Sequence, residues 1–227
     1  MAITEFVFPS LKQDPETATA FTSTIAPFLS NLIDTHSTPP VLKRFGKVVS
    51  EDGRDVTGEF RPCLGIEWHH AADFTTLLST PGFTTFKSLV QPHATAPANP
   101  QLYETDLGAT DSGVFECGLT EVWQVRVGEG DGGDQMMEEV KKAWRGFVGA
   151  VVRVVGEVVL EESGKTGNSV EGIQGVSLNQ GERLWIGVLG WEGSEKREKV
   201  LESAAVKEAK KGLDALVWKT FVLSFAQ

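Results

Sequence analysis

Cysteine is scarce in this chain: Cys63 and Cys117 are the only two among 227 residues. Two are too few for the disulfide framework of a small secreted domain, and they fit a reducing compartment. Cations are in deficit, with 21 Lys and Arg against 31 Asp and Glu, a formal charge of −10. No basic patch is visible for a phosphate backbone, so no nucleic acid is expected as a partner. The same sign of charge disfavours an anionic membrane surface. Long hydrophobic runs are also missing, and none approaches the roughly 20 residues of a membrane-spanning helix. The opening Met1-Ala-Ile-Thr-Glu-Phe-Val-Phe lacks the basic start and apolar core of a signal peptide, so a cytoplasmic location is expected. Tyrosine occurs once, as Tyr103, and histidine four times, as His36, His69, His70 and His93. Any chemistry that depends on imidazole therefore belongs to the first half of the chain.

Several motifs are absent as well. Ser163-Gly-Lys-Thr166 lacks the upstream glycine of a phosphate loop, since Val159 stands there. It reads as a turn. Asn168-Ser-Val170 is no glycosylation acceptor. His69 and His70 are adjacent and cannot face one metal from a regular helix, so no metal site is expected. No nucleophile-elbow or dinucleotide-binding pattern occurs. The acidic, glycine-rich Gly128 to Asp134 lacks calcium-loop spacing and reads as a flexible turn.

What the chain does have is a repeat. A tryptophan that ends an apolar run and opens a helix occurs as Trp68 in Cys63-Leu-Gly-Ile-Glu-Trp68-His-His and as Trp191 in Trp185-Ile-Gly-Val-Leu-Gly-Trp191-Glu-Gly. The offset of 123 residues holds without a gap from Leu77/Val200 to Val90/Leu213. Upstream, Ile3-Thr4-Glu5-Phe6 matches Leu119-Thr120-Glu121-Val122 at an offset of 116, and both read as strands. Each is followed by a helix. The first starts at Asp14-Pro15, an acidic cap with proline behind it. Its apolar stripe is Ala18, Phe21, Ile25, Phe28 and Leu32. The second starts near Asp134 and carries Met137, Val140, Trp144, Phe147 and Val151.

Phe45 to Val49 and Val155 to Val159 read as second strands, and Ser163 to Gln180 as a glycine-rich mobile loop. Fourth strands are expected near Leu102 to Asp106 and Thr220 to Phe225. Each half thus reads β-α-β-β-α-β, the split βαβ order. The expected fold class is α+β: two ferredoxin-like modules, 1–108 and 109–227, fused in one chain and packed sheet to sheet as a pseudo-dimeric α/β barrel. The joint lies within Ala94 to Gly113. Further oligomerisation is left open.

The run Gly65-Ile-Glu-Trp68 leading to Ser79-Thr-Pro-Gly-Phe83 resembles the antibiotic-biosynthesis-monooxygenase branch of the dimeric α/β-barrel superfamily. Gly190-Trp191 and Glu202-Ser-Ala-Ala-Val206 are a weaker match in the second half. The resemblance implies an apolar cavity between sheet and helices in each half, holding a small apolar or aromatic molecule. It further implies a cofactor-independent enzyme of secondary metabolism, an oxygenase acting on an aromatic or polyketide substrate. A polyketide cyclase or dehydratase, a haem-binding protein and a non-catalytic, stress-associated binding protein are the other readings.

Within that frame His69, His70 and Tyr103 are the candidate proton-handling residues, and Trp68, Glu67, Phe83 and Trp191 the candidate substrate-binding ones. The alternatives are structural: a histidine pair in the first turn of an exposed helix, and tryptophans filling strand–helix corners. Glu67 and Trp68 point to opposite faces of their strand, and the sequence leaves open which face lines the cavity. Glu5 and Glu121 repeat at one position of the first strand, either as a paired structural feature or as cavity-lining groups.

Overall fold

A computed structural model of the protein describes residues 2–106, 113–163, 172–179 and 183–225. Strands β1 (Ala2–Val7), β2 (Leu42–Glu51), β4 (Pro62–Trp68) and β5 (Gln101–Thr105) come from the first part of the chain; β3 (Arg54–Asp55) only extends the β2 hairpin. Strands β6 (Leu119–Arg126), β7 (Gly172–Ser177), β8 (Leu184–Trp191) and β9 (Lys219–Phe225) come from the second. The spatial order β2-β4-β1-β5-β7-β8-β6-β9 closes on itself through a β2–β9 pairing. The result is an eight-stranded antiparallel barrel, which leaves no long sheet edge unpaired.

The two sets of four strands share one register. Ile3 stands opposite Trp68 and Glu5 opposite Ile66; Leu119 stands opposite Trp191 and Glu121 opposite Leu189. The sheets meet edge to edge at β5–β7 and β2–β9, with their inner faces turned toward each other across the barrel. Phe6, Phe115, Val122, Ile186, Val188 and Leu223 are among the side chains that fill its interior.

The helices cover the outer faces. Asp14 caps α1 (Pro15–Ala20) by accepting from the Thr17 N–H at 2.7 Å. A π-helical segment, Phe21–Ile25, joins α1 to α2 (Ala26–Asp34). Pro27 lacks an N–H, and the ladder slips there to an Ala26 N–H donating to the Phe21 carbonyl, the expected response to proline inside a helix. Helices α3 (Ala71–Leu78) and α4 (Pro81–Val90) follow β4, and α6 (Ser194–Glu202) and α7 (Ala204–Asp214) follow β8 at the same offset. None of the described helices is long and apolar enough to cross a membrane.

Two expectations are corrected here. Val155 to Val159 belong to α5 (Gly130–Ser163), not to a strand, and the strand of this half is β7, inside the segment read as a loop. Valine is ambiguous: Val151 and Val155 are one helical turn apart and both bury against the second-half core, which overrides a local β preference. The supposed acidic turn also gives its last residues, from Gly130, to the first turns of α5. The proposed module boundary at 108/109, the Ser163–Thr166 turn beyond its first residue, and Asn168–Val170 lie outside the described residues.

Candidate functional site

Alternation along β1 decides what reaches the helices. Ile3 and Val7 pack with Ile66, Trp68 and Leu77 under the helices, while Phe6 enters the barrel. Glu5 shares the helix side with Ile3 and Val7. It borders a cavity of about 770 Å3 lying between the sheet and helices α2, α3 and α4. Val7, Phe45, Leu64 and Ile66 form its sheet side; Leu29, Phe74, Leu77, Phe83 and Phe86 form its helical wall. Lys87, Gln91 and residues 94–98 are also among the lining.

Glu5 is 3% exposed and accepts a 2.7 Å hydrogen bond from Trp68 Nε1. The two residues are diagonal neighbours on one face of the β1–β4 pair, within reach of a long side chain. Burial pushes the Glu5 carboxyl up from its ordinary value near 4.5 to about 7, and the indole bond pulls against that rise. A carboxyl poised near neutrality beside an apolar space suits proton transfer to and from a bound molecule.

The second half is built differently at the same register. Glu121 accepts from Trp191 Nε1 at 3.1 Å, but it also receives two 2.7 Å bonds from Arg197 Nε and Nη2. At the offset of 123 residues, Arg197 corresponds to Phe74, which lines the first-half cavity. Where Val7 faces Leu64 across β1–β4, Trp123 faces Gly187 across β6–β8. A Cβ at Gly187 would come within 2.6 Å of Trp185 and 2.8 Å of Trp144, so glycine is what admits these indoles. Trp123, Trp144, Phe147 and Trp185 then pack with ring centroids 5.4–5.9 Å apart. Among the described residues, these aromatic rings stand at the second-half position that corresponds to the first-half cavity.

The residues singled out from sequence are not brought together. His69 and His70 are exposed; His70 is the N-cap of α3, its backbone N–H bonded to Asp73 Oδ2 at 3.0 Å. Tyr103 is buried in the barrel interior, where its hydroxyl donates to Gln101 Oε1 at 2.6 Å and accepts from Gln124 Nε2 at 2.9 Å. Glu67 is buried on the barrel side of β4, opposite in direction to Trp68. Trp68 is 1% exposed, bonds Glu5 and is not among the residues that line the cavity. Trp191 belongs to the second-half core. Phe83 does line the cavity.

Among the described residues no histidine lines the cavity, which leaves it without an imidazole ligand for haem iron. Phe74 and Lys87 were missed from sequence. The signal for Phe74 was present in the 123-residue offset, which aligns it with a charged residue.

No protein-family model matches the chain, and no curated protein does. Solved structures do. The fold is similar to that of an anthrone oxidase-like protein, with a TM-score of 0.59 at 12% identity, covering 100% of this chain and 92% of that one. It is also similar to a candidate monooxygenase of Fusobacterium nucleatum, with a TM-score of 0.53 at 11% identity, covering 100% and 93%. A candidate monooxygenase of Lactobacillus acidophilus gives 0.53 at 10% identity, covering 99% and 93%. These likenesses show the fold alone.

Proposed function

We propose that the first-half cavity is the reaction site of an oxygenase acting on a small aromatic or polyketide molecule without a cofactor, and that Glu5 is its proton-transfer group. The observation that carries this reading is a buried carboxyl titrating near 7 on the wall of an apolar cavity of about 770 Å3. That volume lies within the roughly 300–1,000 Å3 of ordinary small-molecule sites. The monooxygenase and oxidase names of the structural neighbours support the oxygenase class. In the same reading the chain is a fusion of two modules, 1–108 and 109–227, the second serving as scaffold because aromatic rings and the Arg197–Glu121 pair close its counterpart site.

The chemistry follows from the carboxyl. Glu5 takes a proton from an acidified CH2 or phenol of the substrate, and the resulting anion passes an electron to dioxygen. Radical and superoxide combine into a peroxide, which regains the Glu5 proton as a hydroperoxide. Loss of water from a CH–OOH group leaves a carbonyl, so CH2 and O2 become C=O and H2O. Trp68 holds the carboxylate in place, and the apolar wall excludes water from the anion.

An oxygen electrode and a panel of polycyclic aromatic ketones with acidic CH2 groups test this. One O2 consumed per product, with Glu5→Gln slower by about 10²–10⁴-fold, is the expected result. Equal turnover by Glu5→Gln sinks the assignment. Product formed equally without oxygen would instead establish a cyclase or dehydratase using the same carboxyl.

A further inference from the structure

The cavity carries two charged side chains, and they differ in setting. Glu5 is buried at the sheet, whereas Lys87 on α4 is exposed, so it stands at the mouth. The Lys87 ammonium makes no ion pair with a described residue. Its surroundings do not neutralise it either. Residues 74 to 103 contain no Asp or Glu, in a chain that has 31 of them. That stretch supplies most of the helical wall and mouth, including Phe74, Phe83, Phe86, Gln91 and 94–98. Several other helix lysines of this protein have acidic partners, as with Lys210 and Asp214 or Lys211 and Glu208.

We infer that the ligand is an amphipathic anion: an aromatic body inside the cavity and a carboxylate, or an equivalent acidic group, held at the mouth by Lys87, with the Gln91 amide one helical turn on. This deepens the oxygenase reading and rests on the same cavity. An acid-free rim lets the lysine keep its full local field, because carboxylates elsewhere on the surface are screened within about 8 Å at physiological salt. The two ends also fix orientation. An anion anchored at Lys87 turns the opposite, apolar end of the molecule toward Glu5, and its charged group stays where water reaches it.

Two fluorescent probes of nearly one shape separate charge from shape: 1-anilinonaphthalene-8-sulfonate and its uncharged relative N-phenyl-1-naphthylamine. Both are expected to bind the wild type, and Leu29→Trp, which fills the cavity, is expected to weaken both. Lys87→Gln should weaken the sulfonate about two- to fivefold and Lys87→Glu about tenfold, with the neutral probe unchanged. Added salt should weaken the sulfonate in the wild type but not in Lys87→Gln. If the charged probe is indifferent to Lys87, or both probes weaken together, the anion anchor is overturned while Glu5-dependent oxygen uptake still stands. If neither probe binds, or neither responds to Leu29→Trp, the cavity itself fails as a ligand site.

Discussion

Arg197 holds Glu121 through two hydrogen bonds of 2.7 Å, and at the corresponding helix position of the first half stands Phe74, packed edge-on against Trp68 at 6.2 Å. The two glutamates share a strand register and an indole partner. One is neutralised by a bidentate guanidinium. The other is left beside an apolar cavity with its carboxyl raised by burial.

Phe74→Arg should therefore convert the first site to the second. A guanidinium next to Glu5 favours the charged carboxylate and should bring its pKa from about 7 down to below about 5. Carbon-13 NMR of the glutamate side chains reads this directly. A midpoint that stays near 7 would mean that Phe74 has no part in setting it.

Glu5→Gln should change how stability depends on pH. The folded carboxyl titrates near 7 and an ordinary one near 4.5, so the folded state holds the proton more tightly than the unfolded chain between those values. Wild-type stability from this group is fully present below about 4.5 and is lost as pH rises through about 7. The loss amounts to about 3 kcal/mol. Glutamine keeps an acceptor for Trp68 Nε1 without a charge. Urea unfolding at pH 4.5 and pH 8 should show the variant gaining on the wild type by about that amount, and parallel curves would contradict the burial of Glu5.

Arg197→Met should strand Glu121, which is 3% exposed. Removing one partner of a buried pair costs about 3–5 kcal/mol. Adding Glu121→Gln should recover much of the loss, since no buried charge then remains. A double variant no more stable than Arg197→Met would show that packing, not charge, carries the effect.

Trp68→Phe and His70→Ala should separate the cavity's support from its exposed neighbours. Loss of the indole N–H removes a bond that favours the Glu5 carboxylate, so the rising limb of the pH–rate profile should move up by about one unit. His70→Ala alters an exposed cap, should cost about 1 kcal/mol or less in a denaturant melt, and should leave turnover within about twofold. A large loss of rate in His70→Ala would return catalysis to the histidines.

Some elements were legible because each depends on local periodicity: the Asp14–Pro15 helix start and the strands ending at Trp68 and Trp191. The misread segment was Val155 to Val159, where a run of valines satisfies strand and helix alike until packing of Val151 and Val155 against the second-half core chooses. The site was harder to read. Histidine is the usual neutral-pH acid and base, yet the ionisable group buried on the cavity wall is a glutamate whose carboxyl burial raises to about 7. Its shift comes from burial, against which the Trp68 bond pulls, and neither is written in its immediate neighbours in the chain.

From sequence alone came the expectation of a β-α-β-β-α-β order in each half, the offsets between Trp68 and Trp191, the deficit of basic residues and the match of Glu5 to Glu121 by position. These follow from spacing along the chain, which local propensity and hydrophobic period can read. Only the tertiary structure placed a cavity beside Glu5 and an aromatic cluster with Arg197 near Glu121. That outcome turns on volume and charge contributed by distant residues: Val7, Leu64 and Phe74 around Glu5, against Trp123, Gly187 and Arg197 around Glu121. Close packing and charge pairing act between side chains across strands and helices, so they exist only once the barrel has brought those side chains together.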